Sequence, residues 1–121
     1  MVYLVTRTWV PIHKALDVVK IGFERMKKFD WGKYGQITEQ NKHGDFITST
    51  IMRLVKDGIE SVTTQKVCEG KLEDAMKRVI ESNTFFVNVE GWSMQMDVYH
   101  DMEDFTAIAT SAGIQLPKAP E

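Results

Sequence analysis

The sequence predicts an α+β fold: a four-stranded antiparallel sheet, two helices over one of its faces, and a short helix at the end. Three observations predict it. Stretches that alternate with period two are interleaved with stretches of helical period. An Asp57-Gly58 step joins two strand-like runs, a strong hairpin signal. The resulting element order is β-α-β-β-α-β followed by one more helix.

The elements follow in order. Val2 to Trp9 is rich in β-branched and aromatic residues and reads as a strand. It splits into Val2, Leu4, Thr6, Thr8 on one side and Tyr3, Val5, Arg7, Trp9 on the other. Pro11 marks a helix start, because its missing N–H would be unpaired in a first turn anyway. Ile12, Ala15, Leu16, Val19, Phe23 and Met26 then recur at helical spacing to about Phe29. Gly22 within this helix is either a mild defect or a point of close packing. Asp30 to Asp45 has no clear period and reads as a long connection, with a short ordered piece near Tyr34 to Glu39. Connections of that length are often functional.

Phe46 to Val55 and Ile59 to Cys68 form the hairpin strands. A turn at Asp57-Gly58 sets Leu54 against Ser61, Met52 against Thr63 and Thr50 against Gln65, a face without charge away from the turn. The other face holds Arg53, Val62, Ser49 and Lys66 beside Ile47, Ile51 and Val55. Both faces are partly apolar, unlike a hairpin with one side in water. Gly70 to Ser82 is the second helix, with Leu72, Ala75, Met76, Val79 and Ile80 on one stripe. Thr84 to Val89 is an apolar patch that extends or leads into the last strand, Trp92 to Tyr99. Gly91 permits a bulge or bend there. Asp101 caps a short helix carrying Met102, Phe105, Ile108 and Ala109, and Gly113 ends it. Residues 1–112 are expected to form one domain and 113–121 a tail.

This order is the split βαβ, ferredoxin-like arrangement, in which first and last strands are neighbours. At the level of element order, from Val2 to Ala109, the chain resembles the dimeric α/β-barrel superfamily and its uncharacterised small families. The resemblance rests on no motif. It implies a homodimer whose sheets meet face to face, with a pocket between sheet and helices. That superfamily includes cofactor-free monooxygenases, haem-degrading enzymes, lactone isomerases and ligand-sensing modules, so the resemblance does not choose a reaction.

Bulk composition narrows the classes. The chain has 121 residues, 43% hydrophobic and 26% charged, with a formal charge of −2. That is ordinary for a globular protein and gives no electrostatic reason to expect nucleic acid. No apolar run is long enough to span a bilayer. The single Cys68 cannot form an internal disulfide, so a reducing, cytoplasmic setting is expected, with Cys68 as a small buried hydrophobe. There is no Gly-rich phosphate loop, no Ser-His-Asp order and no Cys-x-x-Cys, and no cofactor is implied.

Five residues stand out as ligand-binding candidates: Arg7, Trp9, Tyr34, Asp97 and Tyr99. If Arg7 and Asp97 share a face of neighbouring strands, they combine a cation, a carboxylate, phenols and an indole, which suits a small polar or aromatic ligand. The simpler account is a cross-strand ion pair at a subunit interface. His13, His43 and His100 form no metal-binding spacing, and no metal is expected. His43, in the glycine-containing connection, and His100, at a strand end, are the weak candidates for proton transfer. Three functions fit these residues. The first is a small-molecule-binding homodimer. The second is a cofactor-independent monooxygenase or isomerase, with Arg7 orienting an anionic substrate. The third is an interaction module without a ligand.

Overall fold

The computed structural model describes residues 1–28, 42–47 and 50–115, apart from the side chains of residues 23 and 25–28. The elements are β1 (Val2–Pro11), α1 (Ala15–Lys28), β2 (Gly44–Phe46), β3 (Ile51–Val55), β4 (Gly58–Val67), α2 (Leu72–Asn83), β5 (Ser93–His100) and α3 (Met102–Ser111). They form an α+β fold with a five-stranded antiparallel sheet and three helices. The sheet order is β2-β4-β1-β5, with β3 also on β4.

The strand count corrects the expected four. The run from Phe46 to Val55 is two strands, and its pairing explains the break. Phe46 opposes Gln65 while Ile51 opposes Val62. The chain advances five residues on one side (46 to 51) and only three on the other (65 to 62), so two residues have no place in a continuous ladder. Ile47 still donates its N–H to the Thr64 carbonyl at 2.9 Å before the strands part. Since β1 lines one edge of β4 from Gly58 to Val67, β2 and β3 share the opposite edge.

The hairpin register also differs from expectation, by two residues: Leu54 opposes Ile59 and Met52 opposes Ser61. The turn residues are Lys56 and Asp57, with Asp57 at φ 59°. Gly58 already belongs to the ladder. A side chain there would meet Trp9, since an added Cβ would lie 2.4 Å from the indole nitrogen. The glycine is therefore a seat for Trp9 rather than a turn residue. A shift of two leaves every side chain on its expected face.

Other boundaries moved for local reasons. β1 runs on to Pro11, and a 3-10 turn at Ile12–Lys14 precedes α1. The N–H of Ile12 goes to the Asp57 carbonyl at 3.0 Å, which ties this corner to the hairpin turn. Thr84–Phe86 is a 3-10 turn after α2, not an extension of the last strand. Gly91, at φ 83°, turns the chain into β5. Asp101 caps α3 as expected, its carboxylate accepting from the Asp104 N–H at 2.8 Å. The connection expected to hold an ordered piece near Tyr34 to Glu39 lies outside the described residues; its end, Gly44 and Asp45, forms part of β2.

The core lies between the sheet and α2. Leu4 and Val67, 1% and 0% exposed, pack with Ala75 and Val79. Val2, Leu72, Met76, Met94 and Met96 pack around them. The even-numbered residues of β1 and β5 thus face the helices, and the odd-numbered ones form the opposite, open face. The stripe of α1 is less buried than its spacing suggests: Ile12, Leu16 and Val19 are exposed. Gly22 has open space around it, so close packing is not its reason. Cys68 is exposed, which corrects its expected burial. It falls one residue beyond β4, where the chain has left the sheet.

Two outcomes follow. Gly58→Val should lower stability by about 1–3 kcal/mol, the usual cost of overpacking, and shift the tryptophan emission. An unchanged urea midpoint would mean that the indole does not rest on Gly58. Asp101→Ala should lower the melting temperature at pH 7. The Asp104 N–H is the main cause holding the Asp101 carboxyl below its ordinary range. A lowered folded-state pKa contributes stability above the unfolded value, about 3.9. That contribution is lost as pH falls through the folded value. The gap between wild type and variant should close below about pH 4, and a gap that persists there would contradict the capping role.

Candidate functional site

The open face gathers four of the five ligand-binding candidates. Register places Tyr3 beside Tyr99, Val5 beside Asp97, Arg7 beside Gln95 and Trp9 beside Ser93. Arg7 Nη1 donates to Asp97 Oδ2 at 2.8 Å, diagonally across the ladder, two residues beyond its direct partner Gln95. Gln95 Nε2 donates to the same carboxylate at 3.0 Å. The Arg7 guanidinium is held above its ordinary range, foremost by a hydrogen bond to Tyr99 and further by the charges of Asp97 and Glu60. Glu60 is itself paired with Arg53 at 2.9 Å. Arg7 and Arg53 on this face are thus each matched to a carboxylate, and Lys66, opposite Tyr3, shares the face. Arg7, Trp9, Asp97 and Tyr99 share one face, outside the space between sheet and helices, with Trp9 at the other end of the strand pair from Tyr99. Tyr34 lies outside the described residues.

The histidines do not converge. His43 precedes Gly44, and Gly44, Val67, Val2 and His100 form one row across four strands. Three strand spacings put its two ends about 14 Å apart. His100 is exposed, and His43 has a buried Nδ1 without a hydrogen-bond partner among the described residues. His13 is exposed in the 3-10 turn before α1. Among the described residues no group of three or more His, Cys, Asp or Glu is placed to hold a metal ion. No helix there is long and apolar enough to cross a membrane.

The other face of the sheet, where the resemblance implies a pocket, holds a cavity whose lining residues are not among the candidates read from the sequence. Between the sheet, α1 and the end of α2 lies a cavity of about 460 Å³. Its floor is made by Thr6 and Thr8 of β1 and Ser61 and Thr63 of β4. These four are cross-strand neighbours, Thr6 opposite Thr63 and Thr8 opposite Ser61. Its walls include Val10, Val18, Ile59 and Val79, and one end is closed by Phe86 packed on Trp92. Those two rings are stacked with centroids 6.1 Å apart. No charged residue and no histidine lines the cavity among the described residues.

The floor is unusual for a protein interior. Thr6 is only 6% exposed. Yet none of the four hydroxyls makes a hydrogen bond among the described residues. None of the four hydroxyl oxygens is sealed off, so they do not carry the cost of about 1–3 kcal/mol that a dry, unpaired hydroxyl would. These hydroxyls open into the cavity instead. The signal was present in the sequence as an uncharged hairpin face dotted with Ser and Thr. Polar residues under a helix layer are what period-two alternation alone treats as ordinary.

Neither family models nor curated proteins yield a match to the chain. Among solved structures it is similar to a de novo designed protein, Foldit4, at 13% identity and a TM-score of 0.46, over 83% of this chain and 97% of that one.

Thr6→Val keeps the shape and removes one unpaired hydroxyl. It should leave stability unchanged or slightly raised, whereas loss of a hydrogen-bonded core threonine would cost about 1 kcal/mol. Chemical denaturation measures the sign, and destabilisation by a similar amount would show that the hydroxyl has a protein partner.

Proposed function

We propose that this protein binds a small molecule in the cavity between sheet and helices. The hydroxyl floor in a mostly apolar lining, whose other polar members are Thr50 and Asn83, carries the reading. Ligand sites are commonly cavities of roughly 300–1,000 Å³, mostly apolar with a few placed polar groups, and this one matches in size and lining. The absence of charge and of histidine from its described lining gives no support to a histidine-driven proton transfer inside it. A binder is the better description.

The reading extends to assembly. We take β2 and β3 as one strand interrupted after Phe46, which makes the strand order that of a ferredoxin-like sheet. Two copies would then meet through the open face, as in a dimeric α/β barrel. Two observations support this. Ile51 of β3 and Tyr99 of β5, both on the open face, are 56% and 49% exposed. Two ion pairs of that face are closed within the chain, Arg7 with Asp97 and Arg53 with Glu60, so covering them strands neither partner.

The binding reading is tested with phenylnaphthylamine, an uncharged apolar fluorophore. The expected result is saturable binding at one probe per chain, abolished by Ser61→Phe, which fills the floor. Circular dichroism should show Ser61→Phe still folded. Binding that survives Ser61→Phe would place the probe elsewhere and sink the proposal. Light scattering at micromolar concentration tests the dimer, and a clean monomer would remove that part of the reading alone.

A further inference from the structure

The composition of the cavity wall also restricts what can occupy it. We infer that the ligand is an uncharged molecule with a flat, ring-bearing apolar body and one hydroxyl or carbonyl group that meets the Thr6, Thr8, Ser61 and Thr63 hydroxyls. This rests on the binding reading above and names the ligand class for the same cavity.

Three features carry it. The first is charge. The described lining has no Lys, Arg, His, Asp or Glu. A carboxylate, phosphate or ammonium held there would lose its hydration without an ionic partner, a cost that apolar contacts do not repay. The Arg7–Asp97 and Arg53–Glu60 pairs are on the opposite face. Among the described residues nothing is placed to hold an anion.

The second is the size and chemistry of the polar patch. Thr6 faces Thr63 and Thr8 faces Ser61 across one ladder. Cross-strand neighbours stand about 5 Å apart and alternate residues of a strand about 7 Å apart. The four hydroxyls thus cover an area that one polar group and its ring edge can span, too small for several dispersed polar groups. Each hydroxyl both donates and accepts. The patch can accept from a ligand hydroxyl and donate to a ligand carbonyl, so it selects for a polar oxygen without fixing its sense. Asn83 at the cavity rim is committed elsewhere, its side-chain nitrogen donating to the Val79 carbonyl at 2.9 Å.

The third is shape. Trp92 sits just before β5, beside Val10, and packs on Phe86. The cavity thus has an aromatic end and a hydroxyl floor. A planar ring lies well against an indole or phenyl face, in an offset or edge-on arrangement. Branched aliphatic side chains, Val10, Val18 and Ile59 among them, supply the remaining surface.

The experiment is equilibrium dialysis at pH 7 with three matched probes: naphthalene, β-naphthol and β-naphthoate. They share one ring body and differ in the polar group. We expect β-naphthol to bind about ten-fold or more tightly than β-naphthoate, and naphthalene to fall between or below. Thr63→Val should weaken β-naphthol about five-fold or more and leave naphthalene unchanged. If Thr63→Val does not fold, Thr8→Val serves the same comparison, and the wild-type ratio of naphthol to naphthoate needs no variant. Binding of β-naphthoate as tight as β-naphthol would overturn the uncharged class. Binding of naphthol that ignores both Thr→Val variants would overturn the role of the hydroxyls. If none of the three binds while phenylnaphthylamine does, the ligand class is wrong and the cavity reading stands. If phenylnaphthylamine also fails, both fall.

Discussion

β1 is hydrogen-bonded along both edges, and nearly every other placement depends on that. Its register with β4 runs from Val2 opposite Val67 to Pro11 opposite Gly58, and with β5 from Val2 opposite His100 to Trp9 opposite Ser93. A strand gripped on both sides cannot slip by one residue without turning its whole set of side chains over. The alternation of β1 therefore decides which residues of three strands lie under the helices. Val2, Leu4, Thr6, Thr8 and Val10 go one way; Tyr3, Val5, Arg7 and Trp9 go the other. Core, cavity and ion-pair face are consequences of one register.

Along the helix-facing side the same strand changes character. At its start Leu4 meets Val67, Ala75 and Val79 in close packing. Two residues later Thr6 and Thr8 face Thr63 and Ser61, and the space above them is hollow. Hydroxyls cannot substitute for the methyl groups that would close such a gap, and α1 does not descend to fill it, as the exposure of Leu16 and Val19 shows. The dense end is where α2 crosses β1. Stability is concentrated there, which frees the other end to be open. The loosely packed end is where the proposed binding site lies.

Much of this was legible in the chain. The α+β class, the helices and the cap at Asp101 follow from period and turn chemistry, while the neighbouring of β1 and β5, and with it a shared face for Arg7 and Asp97, follows only once the topology is assumed. The hairpin was placed two residues out because Asp57-Gly58 looks like a turn pair, whereas Gly58 is needed by Trp9, a residue far away in sequence. The break in the strand after Phe46 was invisible for a similar reason: it arises from a mismatch of register with β4, not from any breaker residue at that point. Cys68 was placed in the interior on residue type, but the strand ends one residue before it. The hydroxyl floor of the cavity is not legible in the chain, because its signature is negative. It consists of missing partners for Thr6, Thr8, Ser61 and Thr63, and partners are a property of the folded chain.

The unpaired floor has a thermodynamic consequence for the whole fold. A ligand that satisfies the four hydroxyls binds the native state and not the unfolded chain, so it adds RT ln(1 + [L]/Kd) to stability. At a hundred-fold excess over Kd that is about 2.7 kcal/mol, a sizeable part of what a domain of this size usually has. A protein built this way is least stable when empty. The Thr6→Val change removes one of the groups that the ligand would meet. The ligand should therefore stabilise the variant less than the wild type, because a hydroxyl that is gone cannot be engaged.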